Sequence, residues 1–273
     1  MEKKELQSIA NEVRKSIIVG THAAKSGHPG GSLSCADMIT YLYFEEMNVD
    51  PKNPDSPDRD RFVLSKGHSA PALYGVLAEA GFIPKEDLDT LRKPESYLQG
   101  HPDMKHTPGV DMSAGSLGQG FSTAVGMALA AKMDGKSYRT YAVLGDGEIE
   151  EGQIWEAAMF AGHRKLDNLV AIIDNNNLQI DGTLEEVCSP YPIEQKFEAF
   201  NFHVIDINGH DFDEIRAALD EAKTVKDKPV AIIMKTVKGK GVSYMEDQVG
   251  WHGKAPDDDL FKTALEELEG GEA

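Results

Sequence analysis

Gly145 to Gly182 reads GDGEIEEGQIWEAAMFAGHRKLDNLVAIIDNNNLQIDG, and its reading decides the fold. The apolar run Tyr141-Ala142-Val143-Leu144 leads into Gly145-Asp146-Gly147. An acidic helix start and an amphipathic helix follow, then a second apolar run, Leu169 to Ile173, ending in Asp174-Asn175-Asn176-Asn177. The pattern predicts strand, tight turn, helix and strand: a βαβ unit with oxygen donors at the C-terminal ends of both strands. In open parallel sheets, ligands bind outside those strand ends, beside helix N-termini. Gly145 and Gly147 let the backbone approach a ligand and take φ > 0. Asp146 offers a carboxylate oxygen and Asn176 a carboxamide oxygen, a donor set suited to a small hard cation such as Mg²⁺ that keeps phosphate and water as its other ligands. A lone GDG is a common turn. Asn176 follows Asp146 by 30 residues, with a helix between two apolar strands, and that spacing points to a metal–diphosphate site.

The rest of the chain bounds what such a site can serve. With 273 residues and 40% hydrophobic content it can bury a large core and fits one big α/β domain. A net charge of −18, with basic residues gathered only in short runs such as Lys235 to Lys240, argues against nucleic acid or an anionic membrane as partner. It does not exclude phosphorylated substrates, because a bound cation and local histidines can reverse the field. Cys35 and Cys188 form no CxxC pair, so neither a disulfide framework nor a zinc site is expected. The charged, amphipathic start carries no signal-peptide core, and no apolar run approaches the roughly 18 residues of a membrane helix. The cytoplasm is the expected location.

Outward from the central unit, residues 5–25 carry a helical stripe at Leu6, Ile9, Val13 and Ile17, with Gly27 as its stop. Lys25 to Ser32 is too rich in Gly and Pro for a regular element; residues 33–47 resume as helix, and 48–60 form a polar loop. Arg61 to Leu64 is a short strand turning through Ser65 to Ser69 into a helix at 70–81. Residues 82–113 read as loop. Gly115 to Gly120 opens a helix with Phe121, Val125, Leu129 and Met133 on one side. A strand at 202–207, a helix at 212–225, a strand at 229–236 and a short acidic helix and tail at 256–273 complete the chain. Strands and helices alternate from residue 61, which predicts a doubly wound, mainly parallel sheet flanked by helices, over one domain spanning 1–273.

Four histidines sit in Gly-rich turns: Gly27-His28-Pro29, Gly67-His68-Ser69, Gly100-His101-Pro102 and Trp251-His252-Gly253. Each alone reads as a capping or surface residue. Four together, beside a metal–diphosphate signature, read as donors to phosphate and sugar oxygens that exchange protons near neutral pH. The histidines at 22, 106, 163, 203 and 210 are left as structural, His22 being the first exception to consider. Glu148, Glu150 and Glu151 crowd a helix start, where acids are stabilised.

The central stretch resembles the thiamine diphosphate (ThDP) signature, GDG followed at this distance by NN, and its wording looks most like a transketolase. Asp174 and Ile180-Asp181-Gly182 fix the register on Asn176. The resemblance implies that Asp146, Asn176 and the Leu178 carbonyl hold Mg²⁺ (or Ca²⁺ or Mn²⁺) on the diphosphate. It places His68, Gly115, Ser116, Leu117, Gly145, Gly147, Glu151 and His252 around the cofactor, with His28 and His101 at the sugar hydroxyls and His28, His101 and His252 in proton transfers. Ser116 stands where many members have proline. Glu151 and Glu156 match glutamates of the hydrogen-bonded path between paired active sites; about 140° apart on a helix, they face different neighbours.

The implied activity is transfer of a two-carbon ketol unit from a ketose phosphate to an aldose phosphate, in the pentose phosphate pathway. A transketolase chain is more than twice this length, and only the diphosphate-binding half is matched. The pyrimidine-binding and C-terminal domains, with the glutamate that activates the aminopyrimidine and the arginines for the sugar phosphate, are therefore expected on a separate chain, in an α₂β₂ assembly. The acidic end reads as a natural terminus. Alternatives are a related ketol transferase for another sugar, a deoxyxylulose phosphate synthase-like enzyme, a two-chain 2-oxo acid dehydrogenase component, or a non-catalytic binding half. SGHPGGS and GSLGQG favour transketolase over the synthase.

Overall fold

A computed structural model describes residues 1–270; the last three residues of the expected acidic tail lie outside them. Five strands, β1 (Arg61–Leu64), β2 (Thr140–Gly145), β3 (Leu169–Asn175), β4 (His203–Asn208) and β5 (Val230–Lys235), form a wholly parallel sheet in the order β1-β2-β3-β5-β4. The helices are α1 (Lys3–Ala24), α2 (Pro29–Ser34), α3 (Ala36–Tyr41), α4 (Ala70–Glu79), α5 (Gln119–Met133), α6 (Gly152–His163), α7 (Leu184–Val187), α8 (Ile193–Ala199), α9 (Phe212–Thr224) and α10 (Asp258–Gly270).

Because side chains alternate across a strand, each strand serves two cores. Tyr141, Val143, Val170, Ile172, Val230 and Ile232 face a core closed by α1, α3, α4, α9 and α10. Ala142, Leu144, Ala171, Ile173, Ala231 and Ile233 face a second closed by α5, α6 and α8. Both faces being covered explains why the strands read as continuous apolar runs. The doubly wound expectation holds. Among the described residues, no helix is long and apolar enough to cross a membrane.

Local departures have local causes. The stretch Pro29–Ser34, read as too irregular for an element, is a helix with proline in its first turn, where the missing N–H costs nothing. The predicted helix 33–47 is broken at Cys35 and ends in a π-helical segment, Leu42–Glu46. α1 stops at Ala24, and Lys25, rather than Gly27, takes the left-handed conformation that ends it (φ 50°). In α5, Phe121 and Val125 are buried but Met133 is 75% exposed. A spacing of four advances about 40° beyond a full turn each step, so the stripe winds out to solvent, and Ala124, Ala128 and Ala131 complete the buried face. A 3₁₀ turn, Lys85–Thr90, interrupts the predicted loop.

Candidate active site

β2 and β3 are adjacent and in register, Gly145 opposite Asp174, so the GDG turn and the asparagine run leave the sheet side by side. Asp146 is buried, and its Oδ2 accepts from Asn177 N–H at 2.6 Å while Oδ1 accepts from Gly147 N–H at 2.8 Å. Asn176 Oδ1 accepts from Leu178 N–H at 3.2 Å. The three expected metal donors therefore lie on two neighbouring turns joined by a hydrogen bond, lining a cavity of about 160 Å³ at the strand ends. Burial, then the charge of Asp174, pushes the Asp146 carboxyl up to about 7. A divalent cation would relieve that repulsion. Lys238 Nζ already donates to the Leu178 carbonyl at 2.8 Å, so a positive charge stands at one of the three donors. Among the described residues no group of three His, Cys, Asp or Glu gathers as a metal site. One carboxylate with an amide and a carbonyl suits a hard cation that takes its remaining ligands from phosphate and water. The residues present fit Mg²⁺ and a diphosphate.

The glycines act by closeness here. Neither Gly145 nor Gly147 takes the positive φ expected from the sequence, Gly147 lying at −70°; a Cβ on Gly147 would lie 3.1 Å from Gln179 Cγ. Gly115, at φ +148°, passes 3.2 Å from His101 Cγ when a Cβ is placed on it, and Leu117 lines the cavity. Ser116 is exposed.

Above this floor the four loop histidines converge. His28 lies 5.4 Å from His68, 5.5 Å from His252 and 6.5 Å from His101, ring centre to ring centre, and His68 lies 5.2 Å from His252. Four turns separated by up to 224 residues of sequence meet at one point. Burial and the Arg92 charge hold His28 down at about 4; burial and Lys238 hold His252 at about 3. His68, by burial and Lys66, and His101, by burial and Arg92, are lowered too. All four are neutral at pH 7, each with one donor and one acceptor nitrogen. His28 Nδ1 is buried without a partner among the described residues. An orphaned polar atom on a ring that neighbours three other imidazoles suits a polyhydroxylated ligand.

Several residues that matter were missed by the sequence reading. Lys66, wholly buried, donates to Asp174 Oδ2 and to the Gly31 carbonyl at 2.8 Å. Asp174 also accepts from Ser34 at 2.6 Å and from Thr236. Burial works to raise the Asp174 carboxyl, but Lys66 and these donors outweigh it and keep it ionised. Burial and Lys66 lower the Lys238 ammonium to about 8, and it donates to His252 Nδ1 at 3.0 Å. The signal for Lys238 was its place in Lys-Gly just past a strand end. Glu148, read as a helix-start acid, is 2% exposed and accepts from its own turn and from two other loops.

Glu151 and Glu156 do not enter the cavity. Glu151 is the extended N-cap of α6, outside the helix on which the 140° was reckoned. Both are exposed, and Glu156 shares a helix face with the exposed Met159 and Phe160. Of the other histidines, His22 stacks on Phe261 at 4.0 Å, and His210 bridges Asp37 and Val237 N–H. A larger hollow of about 280 Å³, lined from α1, α10 and the loops after β4 and β5, shares no lining residue with the smaller cavity.

The family model for the thiamine diphosphate-binding domain of transketolase matches residues 6–269. The chain belongs to the transketolase family. It is 49% identical to the 6-deoxy-6-sulfo-D-fructose transketolase subunit SqwG of Clostridium sp. (strain MSTE9), over 97% of this chain and 96% of that one. An apulose-4-phosphate transketolase subunit from Phocaeicola vulgatus is 46% identical over 98% of this chain and 94% of its own. Among solved structures, transketolase from Campylobacter jejuni superposes with a TM-score of 0.94 at 38% identity, covering 98% of this chain but 43% of that transketolase. The chain thus spans less than half of such a one-chain transketolase and nearly all of the transketolase subunits.

Proposed function

We propose that this chain is the diphosphate-binding subunit of a two-chain transketolase, a single domain that moves a ketol unit between sugar phosphates only when a pyrimidine-binding chain completes the site. The observation that carries the reading is the neutral four-histidine cluster, two of whose members, His68 and His252, line the same cavity as Asp146, Asn176 and Leu178, in a chain of subunit length. When bound, ThDP supplies the electron sink for breaking and making the bond beside a ketose carbonyl. The chain's own residues do the rest. Asp146, Asn176 and the Leu178 carbonyl hold Mg²⁺, and Lys238 adds positive charge toward the diphosphate. Gly115, Ser116 and Leu117 wall the cofactor beside His68. His28 and His101 donate to and accept from the sugar hydroxyls, and with His252 they hold and return protons there. Glu151, Glu156, Met159 and Phe160 present a surface for the paired subunits of an α₂β₂ complex, in the cytoplasm.

The names of the two subunit relatives favour a second reading of the substrate alone: a ketol transferase whose sugar is not a pentose phosphate. Purification with the partner, followed by a donor and acceptor screen in ThDP and Mg²⁺, tests both. Two-carbon transfer from xylulose 5-phosphate to ribose 5-phosphate supports the first reading. Transfer from another ketose only supports the second, and ThDP binding without any ketol transfer would reject both.

A further inference from the structure

Glu148 directly follows the GDG turn, and its carboxylate turns inward to tie that turn to two other loops. One oxygen accepts from the Ser65 hydroxyl and, at 3.0 Å, from Gly118 N–H; the other accepts from Gly145 N–H at 3.0 Å. Ser65 Oγ in turn accepts from Phe121 N–H at 3.0 Å, in the first turn of α5. Gly120 seals the joint, since a Cβ there would lie 2.7 Å from Ser65 Cα. Each of these loops carries groups that line the cavity a few bonds away: Lys66 and His68 after Ser65, Leu117 before Gly118, and Asp146 after Gly145.

We propose that Glu148 is the positioning residue of this site: with Ser65 as its hydroxyl relay, it locks the three loops in register and thereby sets the affinity for the cofactor. This rests on the reading of the cavity as a ThDP site. Three donors converge on one side chain, and only a group that accepts at both ends satisfies them all; an ionised carboxylate does, whereas glutamine turns an NH₂ toward at least one N–H or O–H. An unmatched buried donor makes a loop shift, and a shift here moves Asp146 or Leu117 rather than a distant surface. Glu148 itself lines the cavity, but its hydrogen bonds go to Ser65, Gly118 and Gly145 and to none of the expected metal donors or histidines, so its effect belongs in binding of the cofactor.

The test uses Glu148→Gln and Ser65→Ala in the complete complex, measuring the ThDP dissociation constant, the rate at saturating ThDP, and the melting temperature without ThDP. Glu148→Gln is expected to weaken ThDP binding by roughly ten- to a hundredfold, the effect of outer-layer ligand partners. Its rate at saturation should stay within about threefold, because the reacting groups are untouched. Ser65→Ala should weaken binding in the same sense by less, and the double variant should be no worse than Glu148→Gln alone, since the hydroxyl acts through the carboxylate. If Glu148→Gln does not fold, Ser65→Ala decides. Unchanged ThDP affinity in the folded variants, with only a lower melting temperature, overturns the proposal and leaves Glu148 a stabilising residue. A wild-type complex that binds no ThDP overturns the functional reading first, and this inference with it.

Discussion

At the floor of the site, Asp174 is held by Lys66, Ser34 and Thr236, and Asp146 by two backbone N–H groups, so the geometry is set before any ligand arrives. At the rim, four imidazoles meet at 5.2 to 6.5 Å with no hydrogen bond joining them, and His28 Nδ1 has no partner among the described residues. On the proposed function, the difference follows from the work each does. A metal–diphosphate anchor needs fixed oxygens, and fixing them in a buried place demands full hydrogen bonding. A group that must exchange protons with a sugar needs an open valence, and burial keeps that valence neutral.

Breaking the floor should cost most. Asp146→Ala in the complete complex is expected to reduce ThDP-dependent ketol transfer to background, a loss of roughly a thousandfold or more, since a catalytic metal supplies several kcal/mol. Retained activity would refute the metal assignment. Breaking the rim should spare the anchor: His28→Ala or His101→Ala is expected to lower kcat/KM by roughly a hundred- to ten-thousandfold while calorimetry finds ThDP affinity unchanged. Equal losses in both quantities would show that floor and rim are one unit. Lys238 stands between them, touching Leu178 and His252. Lys238→Ala should weaken ThDP by roughly ten- to a hundredfold, as loss of a charge-assisted hydrogen bond implies, with a smaller effect on rate.

The gentlest test is pH. The ordinary histidine value is 6.5, and His28 and His252 sit near 4 and 3 in the folded chain, so between these values the unfolded chain binds more protons. The stability these two imidazoles contribute is then full above about pH 6.5 and is lost as pH drops toward 4, while Asp146, raised to about 7, contributes in the opposite sense over part of this range. The melting temperature of the chain without ligand, followed at pH 7.5, 6 and 5, therefore contains a decline toward low pH that belongs to the two histidines. His28→Gln combined with His252→Gln should flatten it, and an unaltered slope would mean the rim does not carry the proton linkage.

How much could be read beforehand follows from what each feature depends on. The βαβ unit and the Asp146–Asn176 spacing depend on local pattern, and the parallel sheet appeared with strand ends within a few residues of those expected. The histidine cluster was legible because a glycine adjoins each of the four histidines. Glu148 was not, because an acid at a helix start looks the same whether it faces water or neighbouring loops. Lys66 and Asp174 were also hidden: their pairing joins strand ends 108 residues apart, and nothing near either residue announces it. The Pro29–Ser34 helix was missed because glycine content outweighed a proline well placed at a helix start.

The central claim is that this chain anchors the cofactor but reacts only with a second chain. The most direct measurement is ketol transfer, with ThDP and Mg²⁺ present, by the chain alone, by the partner alone and by the two mixed. The account predicts transfer by the mixture only. Turnover by this chain alone, or a mixture that binds ThDP yet transfers no ketol unit from any ketose phosphate, would contradict it.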